Sequence, residues 1–347
     1  MRGSFSPEYL ADLTVPMSTV SSMRLLGEYK GKQQLFARQS PQALTALREV
    51  ARVQSIESST RIEGVTAAPG RMADLVADKT TPRDRSEQEI AGYRDVLASI
   101  HASADAMEVS AGLLLQLHRD MYRFTPTPGG AWKATANDIV DVLADGTHHL
   151  RFSPVEPHLV DTAIGDLVGG SRAAASIDPL ITIPAFALDF LCIHPFSDGN
   201  GRMSRFINLL MLYQAGYEVG RYISLEKIIE DSKETYYEAL ESSSKGWHEG
   251  RHDLVPWLQY SHGVLLAAYL EFEQRVEQMG AGRGAKREMV ARCIRHLPAL
   301  FRYADIERAC PGVSRPTIAR VLGELRDNGE IACIKGGRDA IWERIPS

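Results

Sequence analysis

His194-Pro195-Phe196-Ser197-Asp198-Gly199-Asn200-Gly201-Arg202-Met203-Ser204-Arg205 is the stretch on which the reading of this 347-residue chain turns. Upstream of it, the apolar run from Ile183 to Ile193, with Phe186, Leu188, Phe190 and Leu191, predicts a buried helix that delivers His194 to the rim of a loop. Gly199 and Gly201 flank Asn200, so the backbone can turn sharply and offer N–H groups with no Cβ in the way, as an anion-binding nest requires. Arg202 to Gly216 then reads as a second helix, with Phe206, Leu209, Leu210 and Tyr213 on its apolar side and Gly216 as its stop. Arg202 and Arg205, three apart, share one face of its first turn.

A glycine loop at a helix N-terminus with two guanidinium groups beside it is suited to polyphosphate. Asp198 adds one hard oxygen ligand. That is a poor calcium cage, but it suffices for magnesium, which keeps its waters and draws other ligands from substrate phosphates. His194 is the group here with an ordinary pKa near neutrality, which makes it the natural base for an incoming hydroxyl. The combination points to phosphoryl or nucleotidyl transfer from magnesium-bound nucleotide. The plainer alternative is a helix-capping loop with surface arginines and a packed histidine.

At every specified position the stretch matches HPFx[D/E]GNGRxxR, the motif of the Fic family, and the chain resembles Fic-domain adenylyltransferases. The resemblance implies a mainly α fold, a Fic-type helical bundle with a β-hairpin flap, and transfer of AMP from ATP to a Ser, Thr or Tyr hydroxyl of a target protein. It makes His194 the base, Asp198 the Mg2+ ligand and Gly199 to Gly201 the anion hole. Asn200 would contact the α-phosphate, and Arg202 and Arg205 would hold the outer phosphates.

Composition is that of an ordinary globular protein, with 44% hydrophobic and 24% charged residues. The length suggests two or three domains. A net charge of −5 gives no general attraction to nucleic acid. The cysteines Cys192, Cys293, Cys310 and Cys333 form no CxxC pair and read as reduced, mostly buried thiols. With no signal segment and no apolar run of about 18 residues, the expectation is a cytoplasmic protein with no membrane partner.

The expected domains are an N-terminal helical region (1–105), a catalytic domain (106–278), a linker (279–285) and a C-terminal domain (286–347). Residues 1 to about 22 read as an extended lead-in. Helical character follows over Ser22–Ala37 and Pro41–Ile62, where Leu44, Leu47, Val50, Val53, Gln54 and Glu57 recur at three- and four-residue steps and Gly64 is a plausible stop. Taken alone, Glu63 is a solvated acid that opposes the helix dipole. Ser59 to Gly64 also resembles the Fic inhibitory motif [S/T]xxxE[G/N], which implies that Glu63 pairs with Arg205 and displaces a γ-phosphate.

Residues 66–83 read as a loop around a short helix. Ser86–Ala104 and Ser110–Tyr122 read as core helices, with His118 structural. Ile139 to Leu143 and His148 to Phe152 read as strands around Ala144-Asp145-Gly146-Thr147. In the resemblance this hairpin is the flap, and Ile139, Val140, Asp141, Val142 and Leu143 are the edge that docks the target by strand addition. Leu225–Ser243 reads as one helix carrying Tyr236 and Tyr237. These neighbours point about 100° apart, one to the core and one to a pocket, and relatives place such a pair near the adenine. Leu254–Val276 reads as a closing helix.

Residues 286–347 hold 12 Lys or Arg against 8 Asp or Glu. Helices at Lys286–His296, Tyr303–Ala309 and Ser314–Asn328, then strands at Glu330–Ile334 and Ala340–Arg344 around Gly336-Gly337-Arg338-Asp339, predict a winged helix-turn-helix. Its third helix carries Arg315, Thr317, Arg320 and Arg326, which makes DNA a candidate partner, although the small charge excess predicts weak nonspecific affinity. The oligomeric state is left open, a homodimer included. Two other functions compete with AMP transfer: a DNA-binding regulator whose Fic domain senses ATP, and removal of AMP from a modified target.

Overall fold

Asp178 caps the central helix by accepting the Leu180 N–H at 2.8 Å, and Pro179 occupies its first turn, where a missing N–H costs nothing. The helix is apolar nearly all round and is buried over almost its whole length. Pro184, inside it, leaves the Leu180 carbonyl without its helical donor, and a ring nitrogen of His262 donates to that oxygen at 2.8 Å instead. Trp257 Nε1 donates to the Pro184 carbonyl at 2.9 Å, so the closing helix bonds this stretch of the central helix at a second point.

The computed structural model describes residues 3–39, 41–142, 147–280, 286–297, 299–310, 313–335, 337 and 340–345. It divides into two compact units, Met1–Phe272 and Glu273–Ser347. The region expected to stand apart at 1–105 belongs to the same unit as the domain that follows it, and the division falls ahead of the expected linker at 279–285, most of which lies outside the described residues.

In the first unit, α1 (Pro7–Asp12), α2 (Met17–Gln39), α3 (Pro41–Ile62), α4 (Pro69–Val76), α5 (Arg85–Ser103) and α6 (Ala111–Met121) precede an antiparallel hairpin. That hairpin, β1 (Ile139–Val142) and β2 (His148–Phe152), is followed by α7 (Val160–Ala173), the central α8 (Pro179–Ile193) and α9 (Asn200–Gln214). Then come α10 (Leu225–Asp231), α11 (Lys233–Ser244) and α12 (Val255–Gly280). Phe186, Phe190 and Phe206, on α8 and α9, are wholly buried, each stabilising the fold by about 2–3 kcal/mol.

Three sequence expectations are corrected. The lead-in is not extended: Ser6 caps α1, and Ser4 is buried, its N–H and hydroxyl donating to Asp189 of α8 at 2.8 and 2.7 Å. The helix expected over Leu225–Ser243 breaks at Ser232, whose hydroxyl bonds the Ile228 carbonyl and competes with the helical ladder. On α3, Val50 is exposed, and the buried stripe runs Leu44, Leu47, Ala51, Ser55, Ser58, Ser59 and Ile62. Two of these hydroxyls find partners from distant segments: Ser55 Oγ donates to Glu226 Oε2 at 2.7 Å and Ser59 Oγ accepts from Arg205 Nε at 2.8 Å.

The second unit has α13 (Lys286–His296), β3 (Leu300–Arg302), α14 (Tyr303–Ala309), α15 (Arg315–Asp327), β4 (Ile331–Lys335) and β5 (Ile341–Arg344). The order is the one expected, with β3 added; the sheet runs β3-β5-β4, all antiparallel, over a core containing Val290, Ile294, Phe301, Ile306, Ile318 and Leu322. The expected turn at 336–339 lies outside the described residues except Gly337.

Candidate active site

His194 ends α8 in the left-handed region, at φ 51° and ψ 60°, a conformation that costs a residue with a Cβ about 1–2 kcal/mol. Hydrogen bonds on either side hold it there. Lys133 N–H donates to the Pro195 carbonyl at 2.8 Å and Lys133 Nζ approaches the Ile193 carbonyl at 3.4 Å. Asn137 donates to the Phe196 carbonyl at 2.9 Å. Asn200 closes the loop by taking the Phe196 N–H on Oδ1 at 2.9 Å and donating Nδ2 to the Phe196 carbonyl at 2.7 Å. The Asn200 amide, expected on a phosphate, is therefore committed to the loop itself.

Burial lowers the His194 imidazole to about 4, the Lys133 ammonium adding to the effect and the Leu191 carbonyl and Glu63 opposing it. The titration near neutrality expected from sequence is thus removed: the ring is neutral at pH 7 and free to accept a proton. His118 is structural, as expected. Its Nδ1 accepts the Gly130 N–H at 2.8 Å, so its Nε2 carries the proton donated to the Asp198 carbonyl at 3.1 Å, and it stacks on Phe196 at 3.7 Å.

Gly199 starts α9 at φ 81°, and an added Cβ would lie 2.7 Å from Met121 Cε and 2.9 Å from the Tyr122 hydroxyl. Only glycine fits there. Over the next glycine sits Glu63: a Cβ on Gly201 would meet Glu63 Oε1 at 2.4 Å. Arg205, nearly inaccessible, donates Nε to Ser59 Oγ at 2.8 Å, and Nη2 to the Ser59 carbonyl at 3.0 Å and to Glu63 Oε1 at 2.8 Å. The end of α3 fixes this acid. Gly64, at φ 77°, donates to the Arg61 carbonyl at 3.0 Å and Val65 to the Thr60 carbonyl at 2.9 Å. That is a Schellman stop with Glu63 at the C-cap. Lys233 Nζ adds a bond to the Ile62 carbonyl at 3.0 Å.

Arg202 is 1% exposed. It donates to Glu89 Oε2 at 2.5 Å and to the Tyr122 hydroxyl at 2.8 Å, and lies 3.6 Å from Asp198. Glu89 also accepts from Arg85 Nε at 2.8 Å, and Arg85 Nη2 reaches Asp198 Oδ2 at 3.3 Å. These two α5 residues were missed in the sequence; their i,i+4 spacing was visible, but only tertiary structure brings them to the loop. The half-exposed Asp198 carboxylate, beside an open cavity of about 510 Å³, suits a magnesium ion that shares its ligands with water and phosphate. No group of three or more ligating side chains that could cage a metal occurs among the described residues.

A second cavity, of about 380 Å³, is lined by His194, Glu63, Gly201, Arg205, Tyr237 and Arg151. Tyr236 is buried edge-on against Trp257 and Tyr260 at 5.3 and 5.7 Å, and Tyr237 has the Arg151 guanidinium 5.5 Å from its ring. Both tyrosines line the cavity, so the expected division into one core ring and one pocket ring is not seen. Ile139 and Val140 of β1 also border this cavity, and the β1–β2 register shifts between them, from Phe152 to Leu150, beside Arg151. Asp141 and Val142 belong to β1; Leu143 lies outside the described residues. On α15, Arg315 is paired with Glu307, Arg320 with Glu324 and Arg326 with Asp327.

Residues 108–212 match the family model described as Fic/DOC family. A probable protein adenylyltransferase of Aquifex aeolicus is 28% identical over 174 residues, 49% of this chain and 49% of that protein. A protein adenylyltransferase of Caenorhabditis elegans is 24% identical over 212 residues, 59% of this chain and 37% of that one. The chain thus spans half or less of the length of these relatives. Among solved structures, a Fic family protein from Desulfovibrio desulfuricans G20 superposes with a TM-score of 0.62 at 20% identity, over 96% of this chain and 98% of the other. A Fic domain-containing signaling protein from Bacteroides thetaiotaomicron gives 0.61 at 18% identity, over 73% and 97%. No helix among the described residues is long and apolar enough to cross a membrane. A motif matched throughout, a family model spanning it and a shared helical fold lead to one statement: residues 108–212 of this chain match the Fic/DOC family and carry its motif.

Proposed function

We propose that the chain is a protein adenylyltransferase that moves AMP from ATP to a Ser, Thr or Tyr hydroxyl of a target protein and is restrained by Glu63. The observation that carries this reading is the meeting of His194, Gly201, Arg205 and Glu63 at one cavity. The hydroxyl oxygen attacks the α-phosphorus, its proton passes to the neutral His194 ring, and the bond to the β-phosphate breaks to release pyrophosphate. Mg2+ held by Asp198 would supply charge neutralisation on the phosphates. The N-terminus of α9 faces the developing negative charge, and Arg205 takes the terminal phosphate once Glu63 withdraws. Tyr237 is the face offered to the base, and the Ile139–Val142 edge the surface offered to the target backbone.

Incubation with ATP labelled at the α-phosphate tests this. Glu63→Gly should label itself or a partner, and adding His194→Ala should abolish the label. Label arriving only from the γ-phosphate would make the reaction kinase-like and sink the proposal. Removal of AMP, with Glu63 orienting water, predicts instead that purified AMP-modified target is cleared only when His194 and Glu63 are both present. The DNA-regulator reading has less support, since all three α15 arginines proposed for a groove are paired with carboxylates.

A further inference from the structure

Both arginines of the motif are already engaged. Arg205 is held by Glu63 and Ser59, a grip that the reading above releases. Arg202 is different: it and Glu89 are both almost inaccessible, and no withdrawal of Glu63 frees it. Separating that pair would leave an uncompensated buried charge. Arg85, whose side chain is 68% exposed, is paired with Asp198 and borders the 510 Å³ cavity together with Asp198 and Arg83.

Arg85, Glu89, Arg202 and Asp198 form a ring of alternating charges that sums to zero. Metal-bound ATP carries net negative charge into it. Asp198, facing a divalent ion, has no further need of Arg85, and the guanidinium, still tethered through Nε to Glu89, has its two outer nitrogens free for phosphate oxygens.

Resting on the nucleotide-binding reading above, we infer that Arg85 is a phosphate-binding residue from outside the motif, and that buried Arg202 acts through Glu89 to aim it. Arg85 therefore sets preference for a nucleoside triphosphate over a monophosphate. Two opposite effects attend its removal. Loss of an exposed ion pair frees Asp198 for metal and strengthens binding by up to about fivefold. Loss of a charge-assisted contact to phosphate weakens it by about tenfold or more. The second effect is larger.

The test is calorimetric titration of the full chain in the Glu63→Gly background, with ATP and with AMP, each in the presence of Mg2+. Arg85→Ala should raise the Kd for ATP by the ratio of these two effects, about threefold or more, and leave that for AMP within twofold, which also reports an intact fold. Arg85→Lys, which keeps the charge without the fork, should fall between. An unchanged ATP affinity, or an equal loss for AMP, overturns the inference while leaving the nucleotide reading in place. Failure of the parent to bind either nucleotide overturns the reading itself, and this inference with it.

Discussion

Replacing Glu63 by glycine removes an acid that lies 2.8 Å from Arg205 Nη2 and within contact of Gly201. At that separation, and an effective dielectric of about 20, the attraction is roughly 6 kcal/mol before desolvation is subtracted. The net strength of a charge-assisted hydrogen bond of this kind is about 1.5–3 kcal/mol. On the proposed function ATP has to displace it to reach Arg205, so the acid should weaken productive binding by about 10- to 150-fold. Glu63 follows the last residue of α3, so glycine there costs the helix little. The assay is incorporation of α-labelled phosphate at ATP below saturation, read as kcat/KM. Glu63→Gly should rise by at least tenfold. Glu63→Gln keeps the shape and one hydrogen bond without the charge, so it should rise less. If Glu63→Gly stays within twofold of the parent although ATP binds it, or if Gln and Gly rise equally, then the electrostatic account of the restraint is refuted.

Glu89→Gln should strand the buried Arg202 charge at a cost of about 3–5 kcal/mol and lower the Tm by about 10 °C, whereas Arg85→Ala, at the exposed end of the same ring, should shift it little. Lys133→Met keeps the apolar stem and removes the ammonium that disfavours protonation of His194. The imidazole, followed by NMR, should rise a little above about 4 and stay well below 6.5, since burial is the larger cause, and an unchanged titration would count against a contribution from the ammonium. Gly64→Val forces a branched residue to φ 77°, which should loosen the stop of α3 by about 1 kcal/mol or more and raise α-label incorporation severalfold; unchanged incorporation would separate the stop from the aim of Glu63.

Acid should destabilise the fold. His101, His118, His194 and His252 are each lowered by burial from 6.5 to about 4, so each takes up its proton more readily unfolded. Their contribution is complete above pH 6.5 and is lost as pH falls toward 4. Asp189, raised by burial from 3.8 to about 6, acts with the opposite sign over much of that window, but it is one group against four. A Tm that falls by several degrees between pH 7 and pH 5 is expected, and a flat profile would contradict the assignment.

The sequence disclosed the candidate loop because glycine, histidine and arginine at fixed spacing encode local geometry: Gly199 and Gly201 sit where an added Cβ would collide. The hairpin and most helices were legible through periodicity and turn residues. Contacts between distant segments were not. Asp189 gives no sign in sequence that Ser4, 185 residues away, bonds it, nor does Glu89 that it neutralises Arg202 across 113 residues. The α3 stripe misled for a related reason: serines buried through long-range partners carry no hydrophobic signal. The His194 ring misled because its ordinary pKa says nothing of the desolvation imposed by the folded chain.

The acid and the guanidinium it engages are separated by 142 residues of one polypeptide, so their encounter is unimolecular. Dilution cannot separate them, and raising the amount of protein cannot drive them together. On the proposed restraint by Glu63, the fraction of unlatched molecules would follow how often the last turn of α3 unwinds, a property written into Gly64 and the carbonyls it caps. A regulator could accordingly act far from the nucleotide, by gripping or straightening that single turn.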